Sequence, residues 1–297
     1  LESSDLSEDR SDQGHHLTVG GKVVRIVIAF AMMFACAFTP PLLSQIPAVR
    51  SFALAHSHPQ GNADDLVMAA FVLLLYGTAT ILVLMLCYVL RRTLDRGRRV
   101  SLNLRLDRRA LLWVVGMVLV AAAVNLAVTG IVHALGLAGG NEGIPDRPWW
   151  IMAVTIFSQA FLLQGIPEEI IWRGWLFSSL GETRFAAVSS VLGFTVLHLL
   201  SQVGQQNRLE HITFLAMPCG FAVTALIVRT ISGSTWAAIG VHGGLHVAND
   251  MLSDWLHLPH GSIAWILQGL LWAAVGLLIL AFHRRRQRLA ALTGQTC

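Results

Sequence analysis

Charge is scarce in this chain. Lys, Arg, Asp and Glu make up 13% of its 297 residues, against about a quarter in a typical soluble domain. With 55% hydrophobic residues and a mean hydropathy of +0.62, that deficit excludes an ordinary soluble domain and points to a polytopic membrane protein. Cysteine is sparse as well. Cys36, Cys87, Cys219 and Cys297 are scattered with no Cys-x-x-Cys spacing, which excludes a zinc knuckle or a disulfide framework and leaves buried apolar thiols. Aromatic residues are missing from the basic runs "RRTLDRGRR" and "HRRRQR", and no soluble domain carries those runs. Nucleic acid is therefore not an expected partner. No internal repeat is visible, which gives a repeat-built transporter little support.

What the chain has instead is long apolar runs. A membrane-spanning helix needs about 20 such residues. About eight segments qualify: Val23–Leu43, Leu66–Leu90, Leu111–Leu135, Trp149–Leu180, Phe185–Ser201, Ile212–Ile231, Trp236–Leu252 and Ile263–Phe282. The fourth is too long for one straight span and carries Gly165 and Pro167, so a kink or break is expected there. The fifth and seventh are short and hold polar residues. The first resembles a signal peptide in part, with Lys22 and Arg25 ahead of it and "ACA" at 35–37. Its apolar run continues through "FTPPLL", so an uncleaved span is the better reading.

The expectation is an all-α polytopic membrane protein, with about eight transmembrane helices enclosing a buried polar site. Its expected divisions are a disordered cytoplasmic tail (1–20), N-terminal spans (21–148), a catalytic core (149–252), and a last span with a basic tail (253–297). Arginines fill the link between the second and third spans, from Arg91 to Arg109, and follow the eighth span from Arg284 to Arg288. The intervening loops on the other side are poor in Lys and Arg, so both termini are expected in the cytoplasm. Short loops suit a bacterial plasma membrane. The basic link is expected to lie along the lipid surface.

Against this background "GIPEEIIWRGW" (165–175) stands out, because ionisable groups are costly in hydrocarbon. In a helix, Glu169 and Arg173 are four apart and share a face, so they can neutralise each other. Glu168 points about 100° away and has no cation in register. It suits a general base, and equally a carboxylate at a helix start behind Pro167. The fifth span holds Phe194 and His198 in "FTVLH". The seventh holds "GVHGGLHVAND", with His242 and His246 on one face and Gly243 and Gly244 open to close approach. Each histidine alone could be an interhelical hydrogen bond. A glutamate and histidines from three helices together form an acid–base or ligand set found in hydrolytic sites.

These residues resemble the motifs of the CPBP intramembrane metalloproteases. That family comprises the type II CAAX proteases and the bacteriocin-processing or immunity (Abi) proteins. "EEIIWR" resembles its EExxxR motif, "FTVLH" its FxxxH motif, and "HGGLH" its HxxxN/D motif. The resemblance covers roughly residues 150–252. It implies an intramembrane endopeptidase that cleaves a membrane-associated protein or peptide substrate, among membrane lipid. Glu168 and His198 would activate the attacking water, His242 and His246 would stabilise the oxyanion, and Glu169 and Arg173 would hold the motif helix. Glu168, His198 and His242 could also ligate Zn2+, and a metal-free glutamate mechanism fits the same residues. His246 stands where the family has Asn or Asp. An imidazole can donate to an oxyanion, but the departure also allows a non-catalytic binding or immunity protein with a degenerate site. A haem protein using His198 with His242 or His246 is a further alternative.

Overall fold

The computed structural model describes residues 17–56, 62–137, 148–202, 204–256 and 261–293. Among them there is no strand. The helices are α1 (Val19–Leu43), α2 (Pro47–Ala55), α3 (Asn62–Arg92), α4 (Arg108–Ala134), α5 (Trp149–Phe157), α6 (Ile166–Glu169), α7 (Phe177–Ser179), α8 (Arg184–Leu197), α9 (Arg208–Phe214), α10 (Ala216–Ser232), α11 (Thr235–Leu256) and α12 (Ser262–Thr293). Side-chain caps set several starts. Asp107 accepts from the Ala110 amide at 2.8 Å, and Thr183 from Ala186 at 3.2 Å. Asn207 caps the Glu210 amide while the Glu210 carboxylate returns to the Gln206 amide, a reciprocal pattern close to a capping box. Gly233, at φ 69°, ends α10 in the left-handed conformation.

A helix stands at each of the eight expected places, and among the described residues six helices are long and apolar enough to cross a membrane: Val19–Leu43, Ala63–Arg92, Arg108–Ala134, Trp149–Ser179, Arg208–Ser232 and Ser262–Thr293. The fifth expected span is the shorter Arg184–Leu200. The seventh, α11, is long enough but too polar. It does not need an apolar surface, because it packs against α4, α10 and the Trp149–Ser179 rod and buries Ala237, Ala238, Ile239, Val241, Leu245 and Ala248 among them. The loop expected after the first span contains α2. Most of the expected tail 1–20 lies outside the described residues, and α1 already begins at Val19.

Of the kink or break expected at Gly165–Pro167, the break is absent. Trp149–Ser179 runs on as one helical rod, with π-helical segments at Ser158–Gly165 and Ile170–Leu176 on either side of α6. A proline inside an α-helix clashes with the carbonyl four residues back and removes a donor. The wide turn relieves this, with the Ile166 amide reaching the Phe161 carbonyl five residues back.

Lipid tails are as apolar as Leu, so helices in a bilayer associate through small residues that let backbones meet. A Cβ at Gly240 would lie 2.7 Å from Val114 Cα, and one at Gly244 would lie 2.8 Å from Val118 Cα. That face of α11 is sealed onto α4. Gly220 and Gly269 bring α10 and α12 together in the same way. Across these contacts, Thr224 donates to the Trp272 carbonyl at 2.5 Å, and Gln268 donates to Asn125 and to Asn249.

In the basic link after α3, residues 100–104 form a non-helical strap pinned to the end of the bundle. The Asn103 carbonyl accepts from the Thr235 amide, the Leu102 carbonyl from Thr235 Oγ1, and the Leu104 carbonyl from Trp236 Nε1. Ser101 binds Ser178, and Arg98 donates to the Ser179 carbonyl. Asp95 is buried at the same end, between Arg25 at 2.6 Å and Trp175 Nε1 at 2.8 Å. These contacts place the strap, the start of α11, the end of the rod and Arg25 at one end of the molecule.

Candidate functional site

The site is assembled where the rod meets α11. A Cβ at Gly165 would lie 2.8 Å from the Ala160 carbonyl oxygen and 3.1 Å from the Gly243 nitrogen, and a Cβ at Gly243 would run into the Phe161 ring. The two backbones therefore touch. His242 precedes that contact on α11, and Glu168 and Glu169 follow it on the rod. All three lie two to three helical turns in from the strapped end.

Glu169 and Arg173 are fully buried and paired, with Nη1 to Oε1 at 3.0 Å. Arg173 Nη2 also donates to the Ala222 carbonyl of α10 at 3.1 Å. The same Glu169 Oε1 lies 3.0 Å from His242 Nδ1. Since Glu169 already accepts from Arg173, it acts as the carboxylate acceptor and Nδ1 carries the proton. His242 Nε2 is then the lone-pair nitrogen. It faces Glu168, with Nε2 4.0 Å from Oε2. Glu168 is 15% exposed, yet its Oε2 is shielded and accepts no hydrogen bond from the protein.

His198 sits in the 3-10 turn that ends α8. Its Nδ1 lies 2.9 Å from the Phe194 carbonyl. A carbonyl only accepts, so Nδ1 is again the protonated nitrogen and Nε2 the lone pair. Phe194 joins this imidazole to the rest. Its buried ring lies 4.6 Å from His198, 5.6 Å from His242 in a T-shape, 5.2 Å from Phe221 and 6.3 Å from Trp172, and the Arg173 guanidinium sits 4.7 Å over it. This edge-and-face packing fixes the ring planes. His246 lies one turn beyond His242, the two rings 5.1 Å apart and tilted by 30°.

The sequence reading brought out each of these charged groups. It missed the Glu169–His242 bond, which joins residues far apart in the chain, and the central place of Phe194, Phe221 and the Ala222 carbonyl. Only Phe194 carried a signal, through its motif position. The donor types suit zinc, and both imidazoles present Nε2. However, no three His, Cys, Asp or Glu groups among the described residues are drawn together as a metal-holding set.

No curated protein and no solved structure matches the chain. Residues 146–248 match the family model described as type II CAAX prenyl endopeptidase Rce1-like, a segment that holds Glu168, Glu169, Arg173, Phe194, His198, His242 and His246. Over that segment the chain is similar to this family, a likeness consistent with the CPBP membrane proteases.

Proposed function

We propose that this protein is a glutamate-type intramembrane endopeptidase in which Glu168 activates water against a peptide bond of a membrane-associated substrate, prenylated or bacteriocin-like. The observation that carries the reading is the 4.0 Å gap between Glu168 Oε2 and His242 Nε2, two shielded acceptors with no donor between them. One water donating to both at about 2.8 Å would subtend roughly 90° and satisfy both. Its oxygen lone pairs then face away from the two acceptors, towards the substrate carbonyl.

The reaction balances over these groups. Water oxygen bonds to the carbonyl carbon as its proton passes to Glu168. The carbonyl π pair moves onto oxygen, where the His246 imidazole can donate a hydrogen bond. Collapse breaks the C–N bond, and the proton on Glu168 passes to the departing amine. His242 holds the water through Nε2 because Glu169 holds its other nitrogen. Arg173 pairs with Glu169 in turn, and His198 stands across the Phe194 ring from His242. The strongly basic end, with the strap and the Arg284–Arg288 run, supports a cytoplasmic placement of both termini in a bacterial plasma membrane.

The second reading is favoured by the two tied-back Nδ1 atoms, a pattern typical of metal-ligating histidines. Glu168, His198 and His242 would hold zinc, which would supply a more acidic water. The chain's own residues would keep the roles just given.

The test uses a quenched fluorogenic CAAX-type peptide, farnesylated and not, with the protein in proteoliposomes. Glu168→Gln should slow cleavage by about 10²–10⁴-fold, the usual worth of a general base, with an unchanged unfolding temperature. Cleavage by Glu168→Gln at the wild-type rate would remove the proposal. No cleavage by the wild type of any membrane peptide offered, with binding retained, would favour the non-catalytic binding or immunity reading.

A further inference from the structure

We propose that the arginine pocket where α3 gives way to the strap is a binding site for the phosphate headgroup of an anionic membrane lipid. The pocket has a volume of about 800 Å³ and is lined by Tyr88, Arg91, Arg92, Arg96 and Arg98, together with Asp95. The ordinary reading of such a cluster is orientation. Arginines at a helix C-terminus also interact well with its dipole. Neither account requires four of them to line one concavity.

Three observations go further. The sole acid of the lining, Asp95, is turned inward. Its Oδ1 binds Arg25 and its Oδ2 binds Trp175, so it offers the pocket little negative charge and the arginines dominate its field. Arg91, Arg92 and Arg96 are exposed, and Arg92 stacks over the Tyr88 ring at 5.1 Å, which orders its guanidinium for bidentate contact with a phosphate. Finally, the pocket opens at the end of an apolar lane. Ile81, Met85 and Tyr88, spaced by helical turns on α3, are exposed by 59%, 61% and 61%. The arginines begin where the α3 hydrocarbon stretch stops. An acyl chain can lie along that lane with its phosphate in the pocket, an arrangement open to a lipid and not to free phosphate.

The site would have a structural consequence. Arg98 lines the pocket and also donates to the Ser179 carbonyl. The strap that follows it holds Thr235 and Trp236 at the start of α11. A headgroup there stiffens the end of the bundle from which α11 carries His242 inward.

The test is native mass spectrometry and thermal unfolding of the full chain in detergent, titrated with phosphatidylglycerol, phosphatidylcholine or inorganic phosphate. Phosphatidylglycerol should be retained and raise the unfolding temperature, and phosphatidylcholine should do neither. An arginine near an anionic headgroup is worth about fivefold, so Arg91→Gln/Arg92→Gln/Arg96→Gln should weaken phosphatidylglycerol binding about a hundredfold. Arg284→Gln/Arg285→Gln/Arg286→Gln removes equal charge elsewhere and should leave binding intact. Equal loss in both variants would show a diffuse charge effect and overturn the site. Equal retention of phosphatidylcholine would also overturn it. Full competition by millimolar phosphate would overturn the lipid as occupant. If the triple variant does not fold, photo-crosslinking of wild type with an anionic lipid probe decides: labelling within 81–98 supports the site, and labelling confined elsewhere overturns it.

Discussion

Glu169 is the residue whose replacement most sharply separates architecture from chemistry. Its Oε1 accepts from Arg173 and from His242, each at 3.0 Å. In Glu169→Leu both bonds are lost, and nothing holds the proton of His242 on Nδ1. The imidazole is then free to carry its proton on Nε2. In that tautomer the nitrogen facing Glu168 donates instead of accepting. Losing an orienting carboxylate costs 10–100-fold where only the ring position suffers, and about 10⁴-fold where the tautomer is inverted. We expect kcat to fall by about 10²–10⁴, equivalent to roughly 3–5 kcal/mol of barrier. Glu169 is fully buried beneath the site and does not face substrate, so KM should stay within about threefold.

Stability falls too, because Arg173 is left charged in the core, a loss of about 3–5 kcal/mol for a broken buried pair. The Ala222 carbonyl, which still accepts from Arg173, favours the lower end. The double variant Glu169→Leu/Arg173→Met distinguishes the two effects. It removes the orphaned cation and should recover most of the unfolding temperature while kcat stays low. Steady-state kinetics on the fluorogenic peptide and tryptophan-monitored unfolding provide the readouts. If the single variant keeps kcat within about threefold of wild type, or the double variant recovers both quantities, Glu169 does not orient His242 for catalysis.

Other substitutions probe the surrounding structure. Gly243→Ala drives a Cβ into the Phe161 ring and should lower stability by about 1–3 kcal/mol. Gly130→Ala, which meets nothing within 4 Å, should not destabilise, and equal melts for the two would refute the contact. Asp95→Asn leaves Arg25 buried without a counter-charge and should cost roughly 3 kcal/mol in the same unfolding assay. Elemental mass spectrometry of the purified protein should find far less than one zinc per chain, with cleavage unaffected by chelator. Stoichiometric zinc lost in His198→Ala would put the metal mechanism in its place. His246→Asn should keep cleavage within about tenfold of wild type, since an amide N–H donates to an oxyanion as an imidazole does. A variant that gains cleavage over an inactive wild type would mark the native site as degenerate.

Much of this was legible in the chain because it is local. The Glu169–Arg173 pair follows from a spacing of four on a helix, and hydropathy alone locates the six apolar spans. The harder parts depend on partners distant in sequence. Pro167 reads as a break because an α-helix cannot hold it, yet two π-helical segments absorb it, and no local signal announces them. Asp95 reads as one acid in a basic link. It becomes an anchor only because Arg25 and Trp175 reach it from other helices. α11 reads as a weak membrane span because hydropathy assumes lipid around every helix, whereas this one is largely surrounded by protein.

That surrounding also explains how a polar helix can sit beside hydrocarbon and hold a set distance to Glu168, the candidate general base. Glycines on neighbouring faces of α11 bring it against α4 at Gly240 and Gly244 and against the rod at Gly243. His242 is buried there, and His246 and Asn249 are half-buried. The same contacts set the reach from His242 to Glu169 and Glu168, because Gly165 and Gly243 touch through backbone and leave no side chain to flex between them. A displacement of about 1 Å at a reacting centre can cost around a hundredfold in rate, and a single methyl at Gly243 demands a shift of that order. The glycines therefore belong to the candidate site as much as the charged groups do. They fix where His242 stands, and the Glu169 bond fixes which way it faces.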